Sequence, residues 1–217
     1  MFNNPIIRKK LFGTDKLSEI VILTPIKDLF LGLFMGHEAI EERKHCWWTN
    51  KDIDIFGKRI SFIKIPPGNA IIDAIASLDS PKLVFLIGYC GGISANLNIG
   101  DLVWVKKAVF LNNSFLSGFK ISDSNVKKTI LYHVDTFCEQ NQEFISSLKK
   151  KEINCIDMET FLLYKRCEKR KIKCVSILIA TDLPYVKPFY TIDDTDEKKV
   201  KEAYKKVEEA ITNAVSQ

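Results

Sequence analysis

Short apolar runs rich in β-branched residues alternate with segments of helical periodicity along most of the 217-residue chain. The predicted strands are 19–24, 57–65, 82–93, 100–111 and 172–180. The predicted helices are 27–36, 69–78, 142–151, 157–170 and a long C-terminal segment from Thr195. Strands that alternate with helices indicate an α/β domain with a largely parallel or mixed sheet.

The whole chain is predicted to form one domain. No internal repeat, no linker rich in proline or serine and no low-complexity block divides it. A chain of this length buries a sizeable core without being split into smaller units. We therefore predict one domain over residues 1–217, with residues 1–17 as an N-terminal extension.

The composition excludes several classes of function. The apolar fraction of 46% and the charged fraction of 27% are typical of a soluble globular protein. A net charge of +5 is too small and too dispersed to predict nucleic-acid binding. The six cysteines form no Cys-x-x-Cys pair, and the three histidines show no metal-ligand spacing. No apolar run reaches about 18 residues and no signal-peptide core is seen, so we expect a cytoplasmic protein that does not enter a membrane.

Polar and glycine residues stand at the carboxyl ends of four apolar runs, where ligands gather in α/β sheets. They are Thr24, Lys27 and Asp28 at the end of VILT, Gly88, Tyr89 and Gly91 after VFLI, Asp157, Met158 and Glu159 after INCI, and Thr181 and Asp182 after SILIA. These strand ends therefore offer a cation, a glycine-rich backbone, an acid pair and a single acid.

The glycines after VFLI predict a turn whose free backbone N–H groups bind an anion or a hydroxyl. The alternative is a tight turn that only allows close packing. The segment GYCGG matches neither the Walker motif nor the dinucleotide motif G-x-G-x-x-G. Both interpretations stay open at this point.

The two acids predicted to act are Asp182 and Glu159. Asp182 follows a mostly apolar run, where desolvation raises the pKa of a carboxyl and suits it to donate a proton. The alternative is a turn or cap aspartate ahead of Pro184. Glu159 either complements the dipole of the helix it begins or accepts hydrogen bonds from a sugar diol, with Met158 packed on the sugar. Asp157 is predicted to cap the same helix.

Three segments together resemble the nucleoside phosphorylase and nucleosidase superfamily. They are FLIGYCGGISANLNIGDLVWV (85–105), CIDMETFLLY (155–164) and VSILIATDLP (175–184). They are similar, in order and spacing, to segments of purine nucleoside phosphorylases, methylthioadenosine/S-adenosylhomocysteine nucleosidases and AMP nucleosidases, and a weaker similarity runs from 19 to 213. The resemblance implies a central mixed sheet that curls into a distorted barrel flanked by helices. It also implies cleavage of an N-glycosidic bond without a metal or organic cofactor.

The resemblance also implies a role for each matching residue. Glu159, beside Met158, would bind the ribose hydroxyls, and Asp182, after Thr181, would protonate a purine at N7. Phe137 would lie against the base. Further residues near the ribose and the nucleophile would be Gly88, Tyr89 and Gly91.

The side of the predicted site that would hold the attacking nucleophile departs from the family pattern. Phosphorylases hold phosphate with arginines, whereas this chain has Lys27, with Thr24 in place of an aspartate, and Leu86 at the second arginine position. Lysine is only a point charge, which weakens the case for phosphate as a co-substrate. Asp28 is the nearest acid that could activate water. Hydrolysis is therefore favoured, with phosphorolysis and non-catalytic nucleoside binding as alternatives.

The resemblance further implies a small-molecule partner and an oligomer. The ligand would be a nucleoside or nucleotide, and the protein a homo-oligomer between a dimer and a hexamer. The segment ERKHCWW (42–48), which is basic and aromatic, is a candidate subunit interface. The alternative is a surface loop with partly buried tryptophans.

Overall fold

The structure, a computed structural model, describes residues 4–37, 39–43, 46–136, 138 and 140–216. The strands are β1 (Ile20–Thr24), β2 (Ala39–Arg43), β3 (Asn50–Ile55), β4 (Lys58–Lys64), β5 (Leu83–Gly92), β6 (Leu102–Phe110), β7 (Asn113–Leu116), β8 (Lys127–His133), β9 (Cys155–Asp157) and β10 (Lys173–Asp182). The helices are α1 (Pro5–Phe12), α2 (Lys27–Gly32), α3 (Ala70–Ser77), α4 (Gln142–Lys150), α5 (Thr160–Arg170) and α6 (Asp194–Ser216). Every predicted strand and helix is present, with ends shifted by a few residues.

The strands form one mixed sheet that curls into a distorted barrel, which confirms the predicted fold class. The order of strands is β10-β6-β8-β9-β5-β1-β4-β3-β2, with β7 added beside β6. Strand β10 also pairs with β5 in parallel, so β5, β10, β6, β8 and β9 close into a ring. Parallel and antiparallel neighbours occur together, because β6 runs antiparallel to β10 but parallel to β8.

Helices cover the two faces of the sheet. One buried cluster joins residues of β1, β5 and β10 to α3 and α5. A second cluster joins the alternate residues of the same strands to α2 and α6. Because successive side chains of a strand point to opposite faces, the continuous apolar runs of β5 and β10 follow directly from this double cover. A smaller cluster lies under α4.

The N-terminal segment carries a helix that the sequence did not predict. Helix α1 begins after Asn4, whose side chain accepts a hydrogen bond from the Ile6 backbone N–H at 2.9 Å, and ends at Gly13 in the left-handed conformation. Phe12 is fully buried and its ring packs edge-on against Trp48, with centroids 5.5 Å apart. Residues before Leu17 therefore contribute to the core.

Strands β2 and β3 were also missed, because charged residues conceal the strand pattern. Asp52 is buried in β3 and accepts hydrogen bonds from Arg43 at 2.8 Å and from Ser61 at 2.7 Å, and it pairs with Arg59. Burial alone would raise the pKa of Asp52, yet the bonds from these partners hold it below its ordinary value. Without knowledge of its partners, sequence reasoning assigns a buried acid of this kind to a loop.

The segment 42–48 lies partly outside the described residues, because Lys44 and His45 are among those omitted. Arg43 is buried in the network around Asp52, and Trp48 packs in the core. Trp47 is 77% exposed. The proposed subunit interface at this segment stays a prediction. No helix in the described ranges has the length and apolar character needed to cross a membrane.

Tyr164 links α5 to two strands of the barrel, and its hydroxyl is predicted to stabilise the fold. The hydroxyl donates to the Val105 carbonyl at 2.5 Å and accepts from the Ser176 backbone N–H at 3.0 Å. We expect Tyr164→Phe to lower the free energy of unfolding by about 1–3 kcal/mol, because both backbone groups would stay buried without a partner. Urea denaturation measures the loss.

The matched control is Tyr132→Phe. Tyr132 is half-buried and its hydroxyl makes no hydrogen bond to any described residue. Its removal should change the free energy of unfolding by less than about 0.5 kcal/mol. Equal losses in the two variants would contradict a specific role for the Tyr164 hydroxyl.

Candidate functional site

The junction between β9 and α5 places two acids side by side. Asp157 ends the strand, and its carboxyl oxygens accept hydrogen bonds from the Thr160 backbone N–H at 3.0 and 3.2 Å and from the Thr160 hydroxyl. These bonds satisfy a donor at the first turn of α5, as a helix cap does. The predicted capping role of Asp157 is therefore confirmed, although Asp157 itself lies in the strand.

Glu159 stands at the first position before α5 and points to the loop that precedes α3. Its Oε1 accepts a hydrogen bond from the Gly68 backbone N–H at 2.6 Å. The side chain is 9% exposed. Burial raises the pKa of Glu159, while hydrogen bonds from the backbone N–H groups of Gly68 and Met158 lower it. The carboxyl group is thus desolvated but still held by donors that suit its ionised form.

Asp182 ends β10 and lies beside the glycine segment of β5. The register pairs Asp182 with Gly91, after an irregularity that leaves Thr181 out of the pairing. Asp182 is 7% exposed, and its Oδ1 accepts from the Thr181 hydroxyl at 3.3 Å. Burial raises the pKa of Asp182 to about 6, against a smaller lowering by Thr181. The structure thus shows the desolvation that the apolar run predicted.

The glycines of GYCGG lie inside β5 and do not form the predicted turn. Gly91 and Gly92 pair with Ile156 and Cys155 of β9. A Cβ at Gly91 would approach Pro184 to 2.8 Å, so the missing side chain allows this close packing. The pairing of β5 on both edges keeps its backbone extended through the glycines. The predicted turn is therefore wrong, the crowding at Gly91 fits the close-packing alternative, and ligand binding by these glycines stays a prediction.

The acids of β9 and β10 meet across β5. Cys90 lies in β5 between them, and its thiol is buried. The pKa of Cys90 is raised by Cys155 and by burial, and further by the carboxyls of Asp157 and Asp182. Glu159 in turn raises the pKa of Asp157, after burial, to about 8. The structure thus brings three buried carboxyl groups together at one end of the barrel.

Tyr89 faces the other side of the sheet. Its hydroxyl lies 2.7 Å from the hydroxyl of Tyr204 in α6, within the cluster that contains α2 and α6. Cys90, the next residue, points to the face that carries α5. The pKa of both tyrosines is raised by burial and, to a smaller degree, by Asp28. The structure therefore groups Asp28 with the tyrosines and keeps the Tyr89 side chain apart from the acids.

The other residues predicted for the nucleophile side are also placed differently from the acids. Thr24 is fully buried, and its hydroxyl accepts from the Ile26 backbone N–H at 3.2 Å. Lys27 and Asp28 begin α2 and are exposed. Gly88 is buried, with Leu178 and Pro25 as its neighbours. These residues border the same end of the sheet, yet none makes a described hydrogen bond to the three carboxyl groups.

Met158 and Phe137 were predicted to contact the substrate. Met158 is half-buried and packs against the cluster that contains Ile93 and Val134. Phe137 lies outside the described residues. Among the residues that are described, no three His, Cys, Asp or Glu side chains form an arrangement that could hold a metal ion.

A cleft that sequence reasoning missed opens just beyond Asp182. It has a volume of about 360 Å³ and is formed by the segment after β10 and the start of α4. Its lining residues are Gln140, Asn141, Gln142, Pro184, Tyr185, Pro188, Phe189 and Tyr190. The aromatic residues of PYVKPFY, directly after the acid, were the available signal. Gly68 was missed as well, because nothing in PPG indicates a bond to a residue 91 positions away.

Comparisons with known proteins identify the fold. No family model matches the chain, and no curated protein matches its sequence. A 5′-methylthioadenosine/S-adenosylhomocysteine nucleosidase from Campylobacter jejuni is 14% identical, with a TM-score of 0.75 over 91% of this chain and 98% of that one. The nucleosidase from Colwellia psychrerythraea, solved with adenine, is 16% identical, with a TM-score of 0.70 over 93% and 96%.

A further solved structure extends the likeness to phosphorylases. Uridine phosphorylase from Vibrio fischeri is 18% identical, with a TM-score of 0.74 over 94% of each chain. Nucleosidases and a phosphorylase thus share the architecture described above, with its curled mixed sheet and flanking helices. The chain has the fold of the nucleoside phosphorylase and nucleosidase superfamily.

Proposed function

We propose that this protein cleaves the N-glycosidic bond of a purine nucleoside or nucleotide by hydrolysis. The observation that carries the proposal is that two buried carboxyl groups with different hydrogen-bond partners, Asp182 and Glu159, stand at the same end of the barrel. Asp182 pairs with Gly91 of β5, and the strand that precedes Glu159 pairs with the same glycine. When two carboxyl groups of one site have different surroundings, one is typically suited to donate a proton and the other to stabilise charge. The superfamily fold supports the same reaction class.

Asp182 acts as the general acid. A purine leaves poorly as an anion, so protonation at N7 lowers the barrier to breaking the glycosidic bond. With its pKa raised to about 6, Asp182 keeps a substantial protonated fraction near neutral pH. The aromatic cleft is lined by the segment that follows Asp182 in the chain, though not by Asp182 itself, and we propose it as a place for the base or for a substituent of the sugar.

Glu159 binds the ribose. As the bond breaks, the sugar develops positive charge, and a desolvated carboxylate next to it stabilises that charge more strongly than water does. The Gly68 N–H occupies one lone pair of Oε1, which leaves Oε2 for the ribose hydroxyls. Met158 borders the same position.

Electrostatics favour water over phosphate as the nucleophile. Burial and hydrogen-bond donors account for the pKa shifts of Glu159 and Asp182. In the described part of the chain, no lysine, arginine or histidine contributes to these two shifts. A phosphate dianion would meet acids without a neighbouring cation, whereas neutral water carries no such cost. Phosphorolysis, which would require Lys27 to turn toward the site, is the alternative.

The remaining features of the proposal follow from the superfamily fold. We propose a homo-oligomer, a cytoplasmic location, no metal or organic cofactor, and one domain over residues 1–217. Non-catalytic binding of a nucleoside is the competing function. A buried proton donor supports catalysis over binding alone, because a binding site gains nothing from the cost of burying Asp182.

A nucleoside panel tests the reaction. The purified protein is incubated with purine nucleosides, 5′-methylthioadenosine and nucleoside monophosphates, each with and without inorganic phosphate. We expect free base and free sugar in equal amounts, at rates that do not depend on phosphate. Sugar 1-phosphate formed only with phosphate would replace hydrolysis by phosphorolysis. Tight binding without release of base would favour the non-catalytic function.

The pH dependence of turnover tests Asp182 as the acid. A general acid works in its protonated form, so the rate should fall as pH rises through its pKa of about 6. Above that value we expect kcat to fall by about tenfold for each pH unit, provided that the proton transfer limits the rate. A kcat that stays constant between about pH 5.5 and 8 would contradict the assignment.

Removal of the Asp182 proton is predicted to affect turnover more than binding. Asp182→Asn keeps the size and polarity of the side chain but cannot donate a carboxylic proton. We expect kcat to fall by about 10²–10⁴-fold with a KM changed less than about threefold. Asp194→Asn, at the exposed start of α6, is the matched control.

Loss of the Glu159 carboxylate is predicted to affect KM and kcat together. A diol contact that forms in the ground state and strengthens in the transition state contributes to both constants. We expect Glu159→Gln to raise KM and lower kcat, each by about tenfold or more. Glu143→Gln on the exposed face of α4 should leave both constants unchanged. Unaltered kinetics in the Glu159 variant would remove this residue from the site.

A further inference from the structure

Glu159 is fixed at two points by residues that have no part in the proposed chemistry. Its carboxylate is held by the Gly68 backbone N–H, and the backbone around it is held by Asp157 through Thr160. We propose that Gly68 and Asp157 are positioning residues that together orient Glu159 toward the ribose. This inference rests on the proposed function of Glu159 and deepens it.

The contact from Gly68 depends on the sequence PPG. Proline has no backbone N–H, so Gly68 supplies the first donor after Ile65, whose own N–H is bonded to Thr24. Gly68 has a φ of 70°, in the left-handed region, and a Cβ there would meet nothing within 4 Å. The glycine is therefore required by the backbone conformation and not by crowding. That conformation aims the N–H at Glu159 Oε1, 2.6 Å away.

The contact from Asp157 fixes the other end of Glu159. Asp157 is anchored in β9, which pairs with β5 and β8 on its two edges. Its carboxyl group binds both the N–H and the hydroxyl of Thr160, the first residue of α5. Glu159 lies between these two residues in sequence, so its backbone cannot rotate while the bonds hold. A carboxylate restrained in this way is preorganised for the substrate.

Charge around Asp157 decides which variant preserves the contact. The ionisable groups that face it are Glu159 at the start of α5 and Cys90 of β5. Asp182 of β10 also acts on Cys90. His133 is the residue of β8 that pairs with Asp157 along the backbone. Burial and then Glu159 raise the pKa of Asp157 to about 8, so its neutral form prevails at pH 7. Asparagine, which is neutral and can still accept from Thr160, therefore imitates the native group.

The first experiment follows the Gly68 amide by ¹H–¹⁵N NMR over a pH titration of the ligand-free protein. We expect its proton shift to titrate with Glu159 and the titration to vanish in Glu159→Gln. Gly57 is the matched control, because its N–H donates to a different carboxyl group, that of Asp54, at 2.8 Å, and its proton shift should be unaffected by Glu159→Gln. If the Gly68 amide does not respond to Glu159, the proposed positioning of Glu159 by Gly68 is overturned, whether or not the protein cleaves nucleosides.

The second experiment compares kinetics at Gly68. Gly68→Ala and Gly57→Ala both place a side chain at a positive φ of about 70° with free space around the Cβ, so the backbone strain is matched. We expect kcat/KM to fall by about 10–100-fold in Gly68→Ala and by less than about twofold in Gly57→Ala. Equal losses in the two variants would assign the effect to strain alone and overturn the positioning role.

The third experiment separates positioning from charge at Asp157. Asp157→Asn should lose less than about threefold in kcat/KM, whereas Asp157→Ala, which cannot bind Thr160, should lose about 10–100-fold. Circular dichroism and the Gly57 amide shift report whether each variant is folded. Equal activity of the two folded variants would overturn the role of Asp157. An inactive wild-type protein would contradict the proposed function. The NMR titration would then still test whether Gly68 holds the Glu159 carboxyl group.

Discussion

The parallel pairing of β5 with β10 is the constraint on which the rest of the structure depends. It runs from Leu83 and Lys173 to the end of both strands and closes the curled sheet into a ring. Both strands are covered on both faces, so their burial supplies much of the apolar area that the domain removes from water. The same pairing places Asp182 beside Gly91, and β9 on the opposite edge of β5 brings Asp157 and Glu159 to the same end.

Burial of carboxyl groups at that end gives the site its chemical character. A carboxylate removed from water is destabilised relative to its neutral form, unless donors or cations compensate. Burial raises the pKa of both Asp182 and Glu159, but only the Thr181 hydroxyl opposes it at Asp182, whereas two backbone N–H donors oppose it at Glu159. Burial and the nearby Glu159 carboxyl raise the pKa of Asp157 further than that of Asp182, to about 8. The carboxyl groups at this end of the barrel therefore differ in the donors that oppose their desolvation.

Sequence reasoning anticipated local features of the candidate site where pattern and strand ends were sufficient. The apolar run before Asp182 indicated desolvation, and the spacing of Asp157 to the start of α5 indicated a cap. The pattern failed where pairing partners lie far apart in the chain, as for Asp52 with Arg43 and Arg59 in the missed strand β3. The alternation of polar and apolar residues also did not predict that the Tyr89 side chain points to Tyr204 and away from the acids.

The sequence by itself determined the alternation of strands and helices, the fold class, and the acids that stand at strand ends. These follow from periodicity and from the polarity of single positions, which are properties of short segments. Only the tertiary structure decided that β9 pairs with the glycines of GYCGG, that the Tyr89 side chain meets Tyr204, and that Gly68 holds Glu159. Such contacts join residues distant in sequence, and their geometry is set by how the sheet closes rather than by any local pattern.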